Sequence, residues 1–252
     1  MIRLRVLAVA GCLFGIAGLF VHAQQGPDLK AVIKKAIEAH GGEKNLEKYK
    51  AGVTKFKGTM AIGQLMVDVT GETSVQKPDK VKNVMNLDIM GKKIDVVTVF
   101  NGTKLWVSTM GQTKEIDDEK ILKAAKEEMQ AEGAGSLVDY LKAPYELSAL
   151  GDVKVKGKEA IGIRISKKDQ KDINLFFDKK TGLVVKTESR TIDGMTGEEI
   201  TQEKYLLEYQ EKAGMKVAKR VEILRDGKAF MDITISELQP LEKLDDSVFA
   251  KP

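Results

Sequence analysis

One cysteine, two histidines and one tryptophan in 252 residues leave little raw material for side-chain chemistry. Cys12 and His22 both fall within residues 1–23, which carry the pattern of a removable export signal, so the chain beyond them holds no cysteine and a single histidine, His40. Without cysteine there is no disulfide to staple a fold and no thiol nucleophile, and stability has to come from core burial and strand pairing. One imidazole is too few for the clusters that hold transition metals, which draw several His, Cys or carboxylate ligands to one point. A nucleophile–histidine–carboxylate triad would have to be built on His40 alone. Long apolar runs are also missing after residue 23, where no segment approaches the ~20 consecutive apolar residues of a spanning helix. Nor does one sign of charge dominate. Forty-one Lys and Arg face 37 Asp and Glu, and the lysines alternate with carboxylates instead of gathering into a stripe, which argues against nucleic acid as a partner.

The first residues read as an export signal because Arg3 and Arg5 precede an apolar run over 6–21, followed by Val21-His22-Ala23 and the polar pair Gln24-Gln25. Cleavage after Ala23 is expected, leaving 39 basic against 37 acidic residues, with no transmembrane segment in the mature chain and a periplasmic destination. The alternative is Val9-Ala10-Gly11-Cys12, which imitates the signal for a lipid anchor at Cys12. The apolar stretch before Cys12 is short and residues 13–21 stay apolar beyond it, whereas an anchored cysteine is normally followed by polar sequence. Cleavage after Ala23 is therefore the reading adopted. Residues 24–252 contain no low-complexity linker and are expected to form one domain.

What is present is periodicity. Residues 28–40 place Leu29, Val32, Ile33, Ala36 and Ile37 at helical spacing behind Asp28 as N-cap, with Gly41-Gly42 as the stop, and a second short turn is expected over 43–49. From 53 to 109 the period changes to two. In residues 81–90, Val81, Met85, Leu87 and Ile89 share one face while Lys82, Asn86 and Asp88 share the other. Turns are expected at 77–80, at Gly91-Lys92-Lys93 and at Asn101-Gly102, the last a favoured type I′ pair. Residues 117–131 return to helical spacing, a Gly133-Ala134-Gly135 break follows, and Ser136 opens a short helix ending before Pro144. Strands resume over 147–238, with an Asp-Gly hairpin at 226–227. About ten strands with three or four short helices predict a mainly antiparallel α+β fold, a single curved sheet whose concave face the helices cover.

Most polar motifs have a structural explanation. His40 ends a helix, where an imidazole suits the negative end of the dipole. Asp117-Asp118-Glu119 fits helix capping better than paired acid–base carboxylates, and it lacks the spacing of a calcium loop. Gly133-Ala134-Gly135 and Gly194-Met195-Thr196-Gly197 are turns, not phosphate loops, since no Gly-Lys-Ser/Thr follows. No cofactor and no metal is expected. Trp106 reads as an anchor for its strand. Methionine is the informative bias: nine remain beyond residue 23. Met is flexible and polarizable, and lines surfaces that accommodate variable apolar ligands. We therefore expect an apolar cavity bounded by Met85, Leu87 and Ile89, by Ile94, Val96 and Phe100, and by Leu122 and Met129 from the helix acting as a lid.

Four phrases, in this order, carry a resemblance: Ala39-His40-Gly41-Gly42-Glu43, then Phe100-Asn101-Gly102 with Trp106, then Leu175-Phe176-Phe177-Asp178-Lys179-Lys180-Thr181-Gly182-Leu183, and the ending Leu244-Asp245-Asp246-Ser247-Val248-Phe249-Ala250-Lys251-Pro252. Together they resemble the periplasmic outer-membrane lipoprotein-sorting and lipid-carrier family typified by LolA and LolB. That resemblance implies an unclosed β-barrel with helices in its mouth, sheltering the acyl chains of lipids or lipoproteins. It also implies transfer without covalent chemistry, to or from an envelope donor or acceptor protein. The alternative is a sensory or scaffold module of the same fold that binds a lipid or protein without transporting it. A carboxylate-based hydrolase is the third and least favoured reading.

Overall fold

The computed structural model describes residues 27–131, 136–193 and 196–252. The expected export signal 1–23, the expected Gly133-Ala134-Gly135 break and the Gly194-Met195 half of the expected 194–197 turn lie outside the described residues. Helix α1 (Leu29–Ala39) starts where expected, with the Asp28 carboxylate accepting from the Ala31 N–H at 3.1 Å. It is followed by α2 (Glu43–Lys48). Six strands come next as a meander: β1 (Ala51–Ile62), β2 (Leu65–Gln76), β3 (Lys80–Ile89), β4 (Lys92–Phe100), β5 (Leu105–Thr109) and β6 (Gln112–Ile116). Helices α3 (Glu119–Ala131) and α4 (Ser136–Asp139) then lead to a second meander. It consists of β7 (Glu146–Val155), β8 (Lys158–Ser166), β9 (Ile173–Asp178), β10 (Val184–Ile192), β11 (Glu199–Lys212), β12 (Met215–Arg225) and β13 (Lys228–Leu241). A 3-10 turn, Asp246–Phe249, follows β13.

All 13 strands form one antiparallel sheet in the order β6-β5-β4-β3-β2-β1-β13-β12-β11-β10-β9-β8-β7. The two meanders are fused where the first strand pairs with the last, Ala51 opposite Leu241 and Met60 opposite Met231. The outer strands β6 and β7 are not paired to each other, so the barrel is unclosed. The sheet is larger than the ten or so strands expected, and β6 lies beyond the 53–109 stretch read as period two.

Curvature has local causes. Bulges interrupt the register at Lys55/Phe56, Ala149/Gly151, Val184/Lys186, Leu206/Glu208 and Ile223/Leu224, and each extra residue bends its strand and increases its twist. Two glycines allow close approach: a Cβ at Gly58 would lie 2.0 Å from the Asp232 carbonyl oxygen, and one at Gly71 would lie 2.4 Å from the Phe56 ring. The inner face then carries the helices. Ile33, Ala36 and Ile37 of α1, Leu46 of α2 and Leu137 and Val138 of α4 pack on Ile163, Ile165, Leu175 and Phe177. The convex face is capped in two places. Trp106 and Val99 lie under Phe249 of the terminal turn, and Phe176 packs with Val155, Ala160 and Val185. Trp106 is thus an anchor, its indole N–H donating to Glu115 at 2.9 Å.

One turn differs from its sequence reading. Asn101-Gly102 is not a type I′ pair, since only Gly102 has positive φ. Instead the Asn101 side-chain oxygen accepts from the N–H groups of Thr103 and Lys104, making a four-residue loop.

Candidate functional site

The inner face divides into three apolar regions. Under α1, α2 and α4, Ile163, Ile165, Leu175, Phe177 and Val184 of the second meander are buried. Under α3, Phe100, Leu105 and Met129 are buried together, with Val75, Val81, Ile116, Ile121, Leu122 and Ala125 around them. The third region lies on β1–β4 and β13, where Phe56, Met60, Val67, Val69 and Leu87 are buried and Ile62, Met85, Ile89, Ile94, Val96, Phe230, Met231 and Ile233 are half-buried against them. Every residue of this third cluster comes from a strand. The sheet's own curl buries its floor, and its flanks keep partial contact with solvent.

The eight residues expected from sequence fall into the second and third regions. Cross-strand register sets Met85 opposite Val96 and Leu87 opposite Ile94, so Met85, Leu87, Ile89, Ile94 and Val96 form one continuous patch of the strand-only cluster. Phe100, Leu122 and Met129 belong instead to the plug that α3 makes over the neighbouring part of the same face. Sequence reasoning missed Phe56, Met60, Val67 and Val69, and the β13 residues Met231 and Ile233. Alternation in β1 and β2 could have pointed to the first four, but the β1–β13 pairing joins segments 170 or more residues apart and leaves no local signal.

Polar contacts fasten α3 across the face. The Glu128 carboxylate accepts from Gln202 at 2.9 Å and from Lys204 at 3.2 Å, tying the helix to β11. Burial works to raise the Glu128 carboxyl, but the charge of Lys204, the hydrogen bonds from Gln202 and Lys204 and the charge of Arg225 outweigh it and hold it below the usual carboxylate range. Arg225 donates to Asp193 at 2.7 Å and lies 3.5 Å over the Phe230 ring, at the border between the helix-covered and strand-only regions. Burial lowers its pKa despite Asp193 and Glu128 nearby.

His40 is buried and bonded on both nitrogens. Nδ1 donates to the Lys216 carbonyl at 2.9 Å and Nε2 accepts from the Val184 N–H at 3.3 Å. Burial pushes its pKa down, so the ring is neutral and joins the end of α1 to β10 and β12. This corrects the dipole account, which needs a charged ring.

Two concavities among the described residues lie elsewhere on the molecule. One groove of about 500 Å³ runs between the start of α1 and the segment after α4, walled by Leu29, Tyr140, Leu141, Tyr145 and Leu147 with Lys30 and Lys142 at its sides. A smaller one of about 30 Å³ sits beside α3 between Ala124, Tyr140, Ile173 and Thr191. Among the described residues no three His, Cys, Asp or Glu side chains converge on a point that could hold a metal ion, and no helix is long and apolar enough to cross a membrane.

No family model and no curated protein matches the chain. Solved structures do. An outer membrane lipoprotein-sorting protein domain from Vibrio parahaemolyticus aligns with a TM-score of 0.56 at 12% identity, over 88% of this chain and 96% of that one. A LolA superfamily protein from Nitrosomonas europaea aligns with a TM-score of 0.52 at 11% identity, over 88% and 97% of the two chains. The chain has the LolA-like fold. A DUF1329 family protein from Desulfovibrio piger shares it, with a TM-score of 0.57 at 13% identity over 88% of this chain and 96% of its own. Identities this low speak for architecture alone. Within the LolA-like sheet, what distinguishes a site is the strand-only apolar region beside α3.

Proposed function

We propose that this chain is an exported, periplasmic carrier that holds the acyl chains of lipids or lipoproteins on the inner face of its sheet and passes them on without covalent chemistry. The observation that carries the reading is the third apolar region, where the sheet presents Met85, Ile89, Ile94, Val96 and Met231 half-buried and where, among the described residues, the apolar cluster includes none from a helix. A core that served stability alone would cover these side chains, since each buried methylene contributes about 0.8 kcal/mol. Leu122 and Met129 on α3 border the same face, so the helix can serve as a movable wall. Transfer then needs only a difference in affinity between this face and an acceptor, and neither nucleotide nor metal. LolA-like neighbours among solved structures, one of them a lipoprotein-sorting protein domain, agree with this reading.

The test is a fluorescent fatty-acyl probe titrated into the wild type and into Met85→Gln and Ile94→Gln. Each amide removes apolar contact worth about 1–2 kcal/mol, so affinity should fall about 5- to 30-fold. Asn86 points to the opposite face and is exposed, so Asn86→Lys should bind as the wild type does. No uptake by the wild type, or equal uptake by cooperatively folded inner-face variants, would remove the proposal and leave the scaffold alternative.

A further inference from the structure

The large apolar side chains that are exposed among the described residues are four, and all sit at one end of the first meander: Leu65 (53% exposed), Met66 (54%), Met90 (94%) and Met110 (65%). Alternating strand direction puts the β1–β2, β3–β4 and β5–β6 turns at the same end of the sheet. Continuing the register from Asp68 opposite Asp88 brings Met66 level with Met90 on the adjacent strand, about 5 Å away from backbone to backbone. Met110 tips the third hairpin, set back along β4 where its N–H reaches the Asp95 carbonyl.

Local stability does not account for these methionines. Met90 and Met110 have φ of 55° and 52°, each followed by a positive-φ glycine, Gly91 and Gly111. The first position of such a turn favours Asn or Asp, and other side chains sit there at a cost. The β12–β13 turn of the same molecule uses Asp226-Gly227. Met90 accepts that cost while leaving nearly its whole side chain in water.

We propose that the β1–β2 and β3–β4 tips are a docking point for a membrane surface containing anionic phospholipid. Separate flexible tips suit a fluid interface, into which each inserts on its own. Charge supports the same occupant. On the inner face of β1–β4 the register leaves one charged residue, Lys92, directly behind the Met90 tip, and it makes no ion pair among the described residues. Asp68, Asp88 and Asp95 all point to the convex face. A lipid leaving the bilayer past Met90 would therefore meet Lys92 with its phosphate, while its chain followed Ile89 and Ile94 to Met85. The inference deepens the carrier reading and rests on it for the direction of traffic.

Sedimentation with vesicles tests it, using protein recovered after export with its N-terminus defined by intact mass. The wild type should bind phosphatidylcholine vesicles containing phosphatidylglycerol. Met90→Asn should bind about tenfold more weakly, and Met66→Asn with Met90→Asn weaker still, while melting no lower than the wild type because Asn suits the turn. Lys92→Gln should reduce the preference for the anionic vesicles. Equal binding by the folded double variant overturns the docking site, as does a wild type that binds neither vesicle. Acyl-probe uptake in vesicle-free solution separates the two readings. Uptake without vesicle binding removes the docking site alone, and vesicle binding without uptake removes the carrier alone.

Discussion

His40 was legible as structural, because a lone imidazole at a helix end has no partners in sequence. Its actual bonds were not legible, since Lys216 and Val184 lie 176 and 144 residues away. Those bonds give the molecule an acid sensitivity with a definite sign. The unfolded ring takes up a proton near pH 6.5, whereas the folded ring resists until a lower pH because it is buried. Below 6.5 the unfolded state therefore binds more protons, and stability falls as pH drops through the window between 6.5 and the lowered folded value. Within that window the slope approaches about 1.4 kcal/mol per pH unit, and above it His40 contributes no pH dependence. Urea melts between neutral and mildly acidic pH should show this loss in the wild type. His40→Gln should be less stable at neutral pH but flatter with acid. Parallel curves for the two proteins would assign the acid loss to the carboxylates common to both.

Among the elements, helices were the easiest to read and turns the hardest. Helix periodicity and caps are local, so α1 and α3 were found within two residues of their ends, and Asp118 does cap α3 through the N–H groups of Lys120 and Ile121 at 2.9 and 3.1 Å. The Met90-Gly91 turn was instead placed one residue later, because sequence gives no reason for methionine in a left-handed position. The candidate face was readable for β3 and β4, where alternation is strict, and unreadable for β13, whose place beside β1 depends on closure of the whole chain. Helix α3 is where an element-scale test applies. Asp118→Ala should cost about 1 kcal/mol and speed amide exchange over residues 119–131 more than in β11 or β12. If α3 is the movable wall, the same variant should take up an acyl probe faster, while unchanged exchange would show that Glu128 and Met129 hold the helix without its cap.

At the scale of the whole molecule, the 13 strands depend on one seam. Each meander could be anticipated from alternation and turn residues, but nothing in sequence says that β1 must lie beside β13 instead of closing on β6 or β7. The seam's tightest point is Gly58, where an added Cβ would lie 2.0 Å from the Asp232 carbonyl oxygen and 2.8 Å from the Ile233 Cα. Both are backbone atoms, so no rotamer change relieves the clash, and Gly58→Ala has to push the strands apart. Overpacking of this kind costs about 1–3 kcal/mol. Where that cost appears tells whether residues 24–252 fold as one unit. Trp106 is the only tryptophan and sits in β5, four strands from the seam, so its fluorescence follows the first meander. Far-UV circular dichroism follows both. In a single cooperative unit the two signals share one urea midpoint in the wild type and shift together in Gly58→Ala, because each meander alone would expose an unpaired edge at the seam. If the tryptophan midpoint stayed in place while part of the dichroism moved, the meanders would be separately stable and the seam a contact between them.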